Sequence, residues 1–371
     1  MKRWIALLLV FLLLCPTAGA SEPFTVAAKG AVLIDADSGR ILFGQNENEM
    51  LPMASTTKVM TALLALENSE LDEMVTAGKN ASGVPGTSLY LSEGETLSME
   101  HMLYGLMLRS GNDAAVAIAE HIAESVPDFA DMMNARAEEL DADAHFVNPH
   151  GLDEDGHKIS ALGLARVMRE AMKNADFRTI TGTTRKVIPW VGNEYSRVLE
   201  NKNKLLTTYE GATGGKTGFT NDAGRCLVFS AERDGLSLIG VVLNCYTWFD
   251  TATTMLDYGF ENFRSEKAME DGEVAQTVRV NGGFTDSVSV VTDRSLSVAV
   301  AVGSHTETVI DLPESIEAPV RAGDILGKAQ IKSDGIVIAE CNLVAAGTVE
   351  KRDYFQSLKR LLRNWLIRLQ P

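Results

Sequence analysis

Two pairs of short apolar runs, separated by residues 45–223, restrict what this chain can fold into. The first pair lies in GAVLIDADSGRILFG (30–44) and turns at Asp-Ser-Gly. The second is GRCLVFSA (224–231) and LSLIGVVLNC (236–245), which turns at Arg233-Asp234-Gly235. Runs of this length broken by Asp and Gly read as strand hairpins. Between them the apolar period lengthens to that of helices, over about Thr56–Leu66 and near 98–109, 113–124, 127–140 and 160–173. Strands at both sequence ends with helices between them fit an α+β unit, an antiparallel sheet covered by helices and carrying a helical insert.

After Phe263 the pattern changes. EVAQTVRV, SVSVVT, SLSVAVAVG and GIVIAE are short, Val-rich and interrupted by Gly, Asp and Asn, which indicates a small all-β domain. The expected division is 21–266 for the first domain and 267–350 for the second. Ahead of them, Lys2 and Arg3, the apolar stretch Trp4–Cys15 and the small residues Ala18 and Ala20 read as a signal peptide, residues 1–20, cleaved before Ser21. Leu14 and Pro16 disfavour lipid modification at Cys15. The apolar stretch is shorter than the roughly 20 residues of a membrane span.

The formal charge is −16, of which residues 351–371 contribute +5 and the leader +2, leaving −23 on residues 21–350. A body this acidic excludes general nucleic-acid binding. In the tail, Tyr354, Phe355, Leu358, Leu361, Leu362, Trp365, Leu366 and Leu369 share one face of a helix over 354–370, with Lys359, Arg360, Arg363 and Arg368 off it and Ile367 the exception. Such a helix lies in the plane of an anionic membrane surface. The alternative is a helix docked on its own acidic body. Cys226, Cys245 and Cys341 are too few and too scattered for a disulfide framework, so buried thiols are expected. No H-E-x-x-H spacing occurs, and neither metal nor cofactor is called for.

Three short motifs carry chemistry. Ser55-Thr56-Thr57-Lys58 stands where a polar loop meets an apolar helix, and a spacing of three puts Ser55 and Lys58 side by side. A lysine held neutral can take the serine proton, and a helix start favours both the neutral amine and a developing oxyanion. Taken alone, S-x-x-K is a weak signal and reads first as an N-cap and a solvated lysine. Ser110-Gly111-Asn112 falls between two helical patterns, where a second hydroxyl can relay a proton and a carboxamide can hold a substrate amide. Lys216-Thr217-Gly218 leads into a strand, offering fixed positive charge, a hydroxyl for a carboxylate, and a position without a side chain for close approach. Each motif supplies what the others lack.

In this order, S-T-T-K, S-G-N and K-T-G resemble the low-molecular-mass penicillin-binding proteins, the serine-type D-alanyl-D-alanine carboxypeptidases. PMASTTKVMTALLALE, LYGLMLRSGNDAAVAIAEHIA, FVNPHGLDEDGH and GGKTGFTNDAGRCLVFSA extend the resemblance over most of residues 25–260. It implies an acyl-enzyme on Ser55, with Lys58 as base, Ser110 and Asn112 assisting, Lys216 and Thr217 on the terminal carboxylate, Gly218 beside the ligand, and the N–H groups of Ser55 and Phe219 as oxyanion hole. It also implies peptidoglycan stem peptides and β-lactam antibiotics as ligands, and a place on the outer face of the cytoplasmic membrane. Histidine stands in some members where this chain has Phe219, and aspartate is expected where it has Gly163, which weakens that helix start. His150 and His157 are given loop roles. A β-lactamase would need a deacylating carboxylate in an E-x-x-L-N loop; the nearest string, Glu170–Asn174, has Lys173 in place of leucine within a helical pattern.

Overall fold

The computed structural model describes residues 24–352 together with Leu358. The leader and, apart from Leu358, the tail helix expected over 354–370 lie outside the described residues. Both hairpins form: β1 (Gly30–Asp35) with β2 (Ile41–Gln45), and β4 (Gly224–Arg233) with β5 (Leu236–Leu243), preceded by β3 (Ala212–Thr220). They join in one sheet of order β2-β1-β5-β4-β3, in which β1 pairs antiparallel with β5. Every residue of β1 is buried. The cause is cover on both faces: Val32 and Ile34 enter one apolar cluster, Ala31 and Leu33 another. A strand buried on both sides reads as a continuous apolar run without alternation.

The first cluster is closed by α1 (Lys58–Asn68), α3 (Asn112–Ala123) and α5 (Ala161–Ala171), the second by α7 (Trp248–Asn262). Helix α1 is buried continuously from Lys58 to Ala65, so it runs through the middle of the domain, and a helix apolar all round is one surrounded by protein. Residues 98–109, expected as one helix, divide into α2 (Met99–Tyr104) and a π-helical turn, Gly105–Arg109. The turn passes under Leu89, whose side chain occupies the place a Cβ on Gly105 would take. Helix α5 needs no aspartate at Gly163: Ser160 caps it, accepting the Gly163 N–H at 2.9 Å, and the backbone of Asp143 fills the space beside Gly163.

Phe263 ends α7 and begins the first strand of the second domain, β6 (Phe263–Met269), without a linker. There β6 pairs with β9 (Leu296–Ala301). A six-stranded sheet runs in the order β10 (Thr306–Asp311), β12 (Ile325–Ser333), β13 (Ile336–Ala345), β8 (Ser287–Thr292), β7 (Val274–Asn281), β11 (Ser315–Glu317). Its core is Val278, Val290, Val298, Ile331 and Leu343. The domains meet where Asp35 accepts the Ala299 N–H at 2.9 Å and Asp37 accepts the Ser297 hydroxyl at 2.8 Å. Cys226, Cys245 and Cys341 are buried free thiols, and burial pushes Cys226 up to about 12. Among the described residues no helix is long and apolar enough to cross a membrane.

Candidate active site

Ser55 lies in a 3-10 turn, Ala54–Thr57, that runs directly into α1. Ala54 enters that turn with φ at 49°, a left-handed conformation costing an alanine about 1–3 kcal/mol. Two glycines grip the peptide between Ala54 and Ser55. A Cβ on Gly151 would stand 1.9 Å from the Ala54 carbonyl oxygen, and one on Gly218 would stand 2.9 Å from the Ser55 nitrogen. Any side chain at either position would displace the turn. Gly218 belongs to β3, the edge strand, so the edge of the sheet and the start of α1 meet at Ser55.

Lys58 is fully buried. Its Nζ lies 3.0 Å from Ser55 Oγ and 2.7 Å from Asn112 Oδ1, and it also reaches the His150 carbonyl. Burial first, then the charges of Lys216 and Lys202, hold its pKa well below the ordinary lysine value, against an opposing pull from Asp113. A neutral amine has two N–H groups and one lone pair. With the two N–H groups on Asn112 and His150, the lone pair faces the Ser55 hydroxyl.

Ser110 ends the π-helical turn in the left-handed region, φ 68°, which turns its hydroxyl toward β3. There Ser110 Oγ accepts from Lys216 Nζ at 3.0 Å, and the same ammonium donates to the Thr217 carbonyl at 2.8 Å. Burial and then Lys202 bring Lys216 down to about 7. Asn112 Nδ2 donates to the Pro85 carbonyl at 2.7 Å, so the carboxamide expected to hold a substrate amide already binds protein at both ends. One donor and one acceptor position remain on it. Thr217 is nearly buried, whereas Phe219, two residues on, is 62% exposed beside Arg225 in the strand register.

The structure thus forms two bonded groups, Ser55–Lys58–Asn112 and Ser110–Lys216, close enough for the Lys216 charge to act on Lys58, with Gly218 against the Ser55 turn and Thr217 and Phe219 on either side of it along the edge strand. It adds residues that no motif marks. Asp113 accepts the N–H groups of Leu89 and Leu91, at 2.9 and 3.0 Å, and the Ser88 hydroxyl at 2.6 Å. Arg197 forms a bidentate pair with Glu95, 2.6 and 2.9 Å, and donates to the Leu89 carbonyl. These bonds fix the segment whose Pro85 carbonyl receives Asn112. The local signal at Asp113 is no more than an acid in the first turn of α3, and Glu95 and Arg197, far apart in sequence, carry none. His157 is buried and His150 half-buried, and desolvation is the chief cause that pushes them down to about 4 and about 3 respectively. Glu170 is engaged by Arg136 and Lys173. Among the described residues no group of three or more His, Cys, Asp or Glu is placed to hold a metal.

Residues 17–247 match the family model described as D-alanyl-D-alanine carboxypeptidase, and residues 263–351 match that of the penicillin-binding protein 5 C-terminal domain. The chain is 32% identical over 386 residues to the D-alanyl-D-alanine carboxypeptidase DacF of Bacillus subtilis, covering 98% of this chain and 99% of that one. The solved penicillin-binding protein 5 of Haemophilus influenzae superposes with a TM-score of 0.77 at 29% identity, covering 89% of this chain and all of that one. A variant of the Streptomyces K15 DD-transpeptidase superposes with a TM-score of 0.61 at 32% identity, covering 64% of this chain and 99% of its own. The chain therefore belongs to the D-alanyl-D-alanine carboxypeptidase family and is a serine-type carboxypeptidase, a hydrolase with a C-terminal all-β domain.

Proposed function

We propose that this enzyme removes the terminal D-alanine of peptidoglycan stem pentapeptides through an acyl-enzyme on Ser55. The observation that carries the reading is Lys58, buried, low in pKa and 3.0 Å from Ser55 Oγ. Lys58 takes the Ser55 proton as Oγ attacks the carbonyl carbon of the penultimate D-alanine. The oxyanion is held by the N–H groups of Ser55 and Phe219. The peptide C–N bond then breaks, the leaving amine receives a proton through Lys58 and Ser110, and D-alanine departs. Water hydrolyses the ester and restores the serine. Lys216 and Thr217 take the terminal carboxylate, Asn112 offers its remaining donor and acceptor to the peptide amide, and Gly218 leaves room for the chain. A β-lactam enters the same site, because its strained amide presents the same acyl carbon and its opened ring stays attached.

Purified enzyme with a soluble stem-pentapeptide analogue should release one D-alanine per peptide, and Ser55→Ala should release none. Release at the wild-type rate by a folded Ser55→Ala protein would end this reading. The tail, residues 351–371, is proposed to hold the exported enzyme on the outer face of the cytoplasmic membrane. Its deletion should leave turnover of the soluble peptide unchanged and abolish co-sedimentation with anionic liposomes; undiminished sedimentation would assign the attachment elsewhere.

A further inference from the structure

The turn that presents Ser55 is held from behind by a chain of three hydrogen bonds. The Val147 N–H points at His157 Nδ1, 3.0 Å. His157 Nε2 lies 2.8 Å from Thr57 Oγ1, and Thr57 Oγ1 lies 2.9 Å from the Ala54 carbonyl oxygen. All these side-chain atoms are buried.

The direction of the chain follows from valence. A backbone N–H only donates, so Nδ1 must present its lone pair to Val147. A neutral imidazole with a bare Nδ1 carries its proton on Nε2. Nε2–H therefore donates to Thr57 Oγ1, and the single hydroxyl proton of Thr57 is left to donate to the Ala54 carbonyl, an acceptor only. The same Ala54 carbonyl is pressed by Gly151, and Ala54 is the residue in the left-handed conformation just before Ser55. A strained residue persists where its surroundings over-determine it.

Resting on Ser55 as the nucleophile, we propose that His157, in its neutral Nε2–H form, is a positioning residue. Through Thr57 it fixes the Ala54 carbonyl and so aims the Ser55 hydroxyl and N–H. His157 touches no reacting atom. A proton on Nδ1 would set two donors against each other at Val147, and burial, His145 and Lys58 act in the same direction against the charged form, with Asp153 alone opposing.

The test measures penicillin acylation of the full enzyme, resolved into binding and the chemical step, alongside the tautomer. Long-range 15N–1H spectra should place the His157 proton on Nε2. Thr57→Val and His157→Asn should each slow the acylation step at least tenfold with penicillin binding changed less than twofold. The double variant should be no slower than the worse single one. Thr57→Ser restores the hydroxyl and His157→Gln restores a donor toward it, so both should return to within threefold of wild type. A proton on Nδ1, wild-type acylation in Thr57→Val, or losses that multiply in the double variant would overturn the proposal. The tautomer is read without any reaction at Ser55, so a failure of the nucleophile assignment and a failure of this one give different results.

Discussion

The catalytic domain and the β domain bury different things. Of the twenty buried polar or charged residues among those described, nineteen lie between Asp35 and Thr251, and one, Thr292, lies in the β domain. The apolar clusters of the β domain hold only Val, Ile, Leu, Ala, Met and Cys, and the Thr292 hydroxyl is satisfied by the Glu270 carbonyl. The core of the catalytic domain encloses two whole lysines, Lys58 and Lys216, and the Arg197–Glu95 pair. Burying such groups costs several kcal/mol each unless they are bonded or lose their charge. The catalytic domain does both: no buried side-chain N or O atom among those described lacks a hydrogen-bond partner, and both lysines are shifted toward the neutral amine. Chemistry concentrates where the fold tolerates this cost, and the β domain carries none of it.

That contrast breaks most visibly at Lys58. Lys58→Ala should lower the penicillin acylation rate by about 10²–10⁴-fold, the range of a lost general base. In the wild type the base is the neutral amine, so the rate falls as pH drops through the Lys58 pKa. Because burial and the neighbouring lysines depress that pKa, acylation should level off well below pH 10.5, where an ordinary lysine titrates. A stopped-flow profile that keeps climbing toward pH 10.5 would place the base elsewhere.

Next is Arg197–Glu95, with side chains 5% and 3% exposed. Burial raises the Glu95 pKa, but the Arg197 bonds and the Ser92 N–H outweigh it and leave the carboxyl below its ordinary value. Glu95→Gln leaves a buried guanidinium without its counter-charge and should cost about 3–5 kcal/mol in urea unfolding. A loss below 1 kcal/mol would show that the pair opens to water.

A similar size of effect comes from pH. His157 is neutral in the fold down to about pH 4, whereas in the unfolded chain it is protonated below about 6.5. Between these values the unfolded state holds more protons, so stability is full above 6.5 and falls as pH falls, by about 3 kcal/mol at the lower end. His150 adds in the same direction. Urea midpoints at pH 7 and 4.5 should differ accordingly, and His157→Gln should flatten the slope.

The smallest effect lies in the β domain. Ile331→Val removes one methylene from a fully buried position and should cost about 0.5–1.5 kcal/mol, read as a lower Tm, with acylation unchanged. A change in acylation would couple the domains through the Asp35–Ala299 contact.

How much of this was legible depended on distance along the chain. The hairpins and helices follow from local period, and Ser55 with Lys58 from a spacing of three. The break after Tyr104 was hidden because it depends on Leu89 lying over Gly105. Asn112 was recognised as a polar contact, but its bond to Lys58 spans 54 positions and the Arg197–Glu95 pair spans 102. Gly151 looks like an ordinary loop glycine until the Ala54 carbonyl is found against it. The start of the β domain at Phe263 was blurred because Phe263–Met269 holds Arg, Glu and Lys on a half-exposed strand and lacks the Val-rich signature of its neighbours.

The central claim is that Ser55, activated by Lys58, is the acylated residue. Intact-mass measurement and peptide mapping after brief penicillin treatment test it directly. One adduct per chain, located on Ser55 and absent from a folded Ser55→Ala protein, is the expected result; an adduct that persists in Ser55→Ala, or maps to another residue, would contradict it.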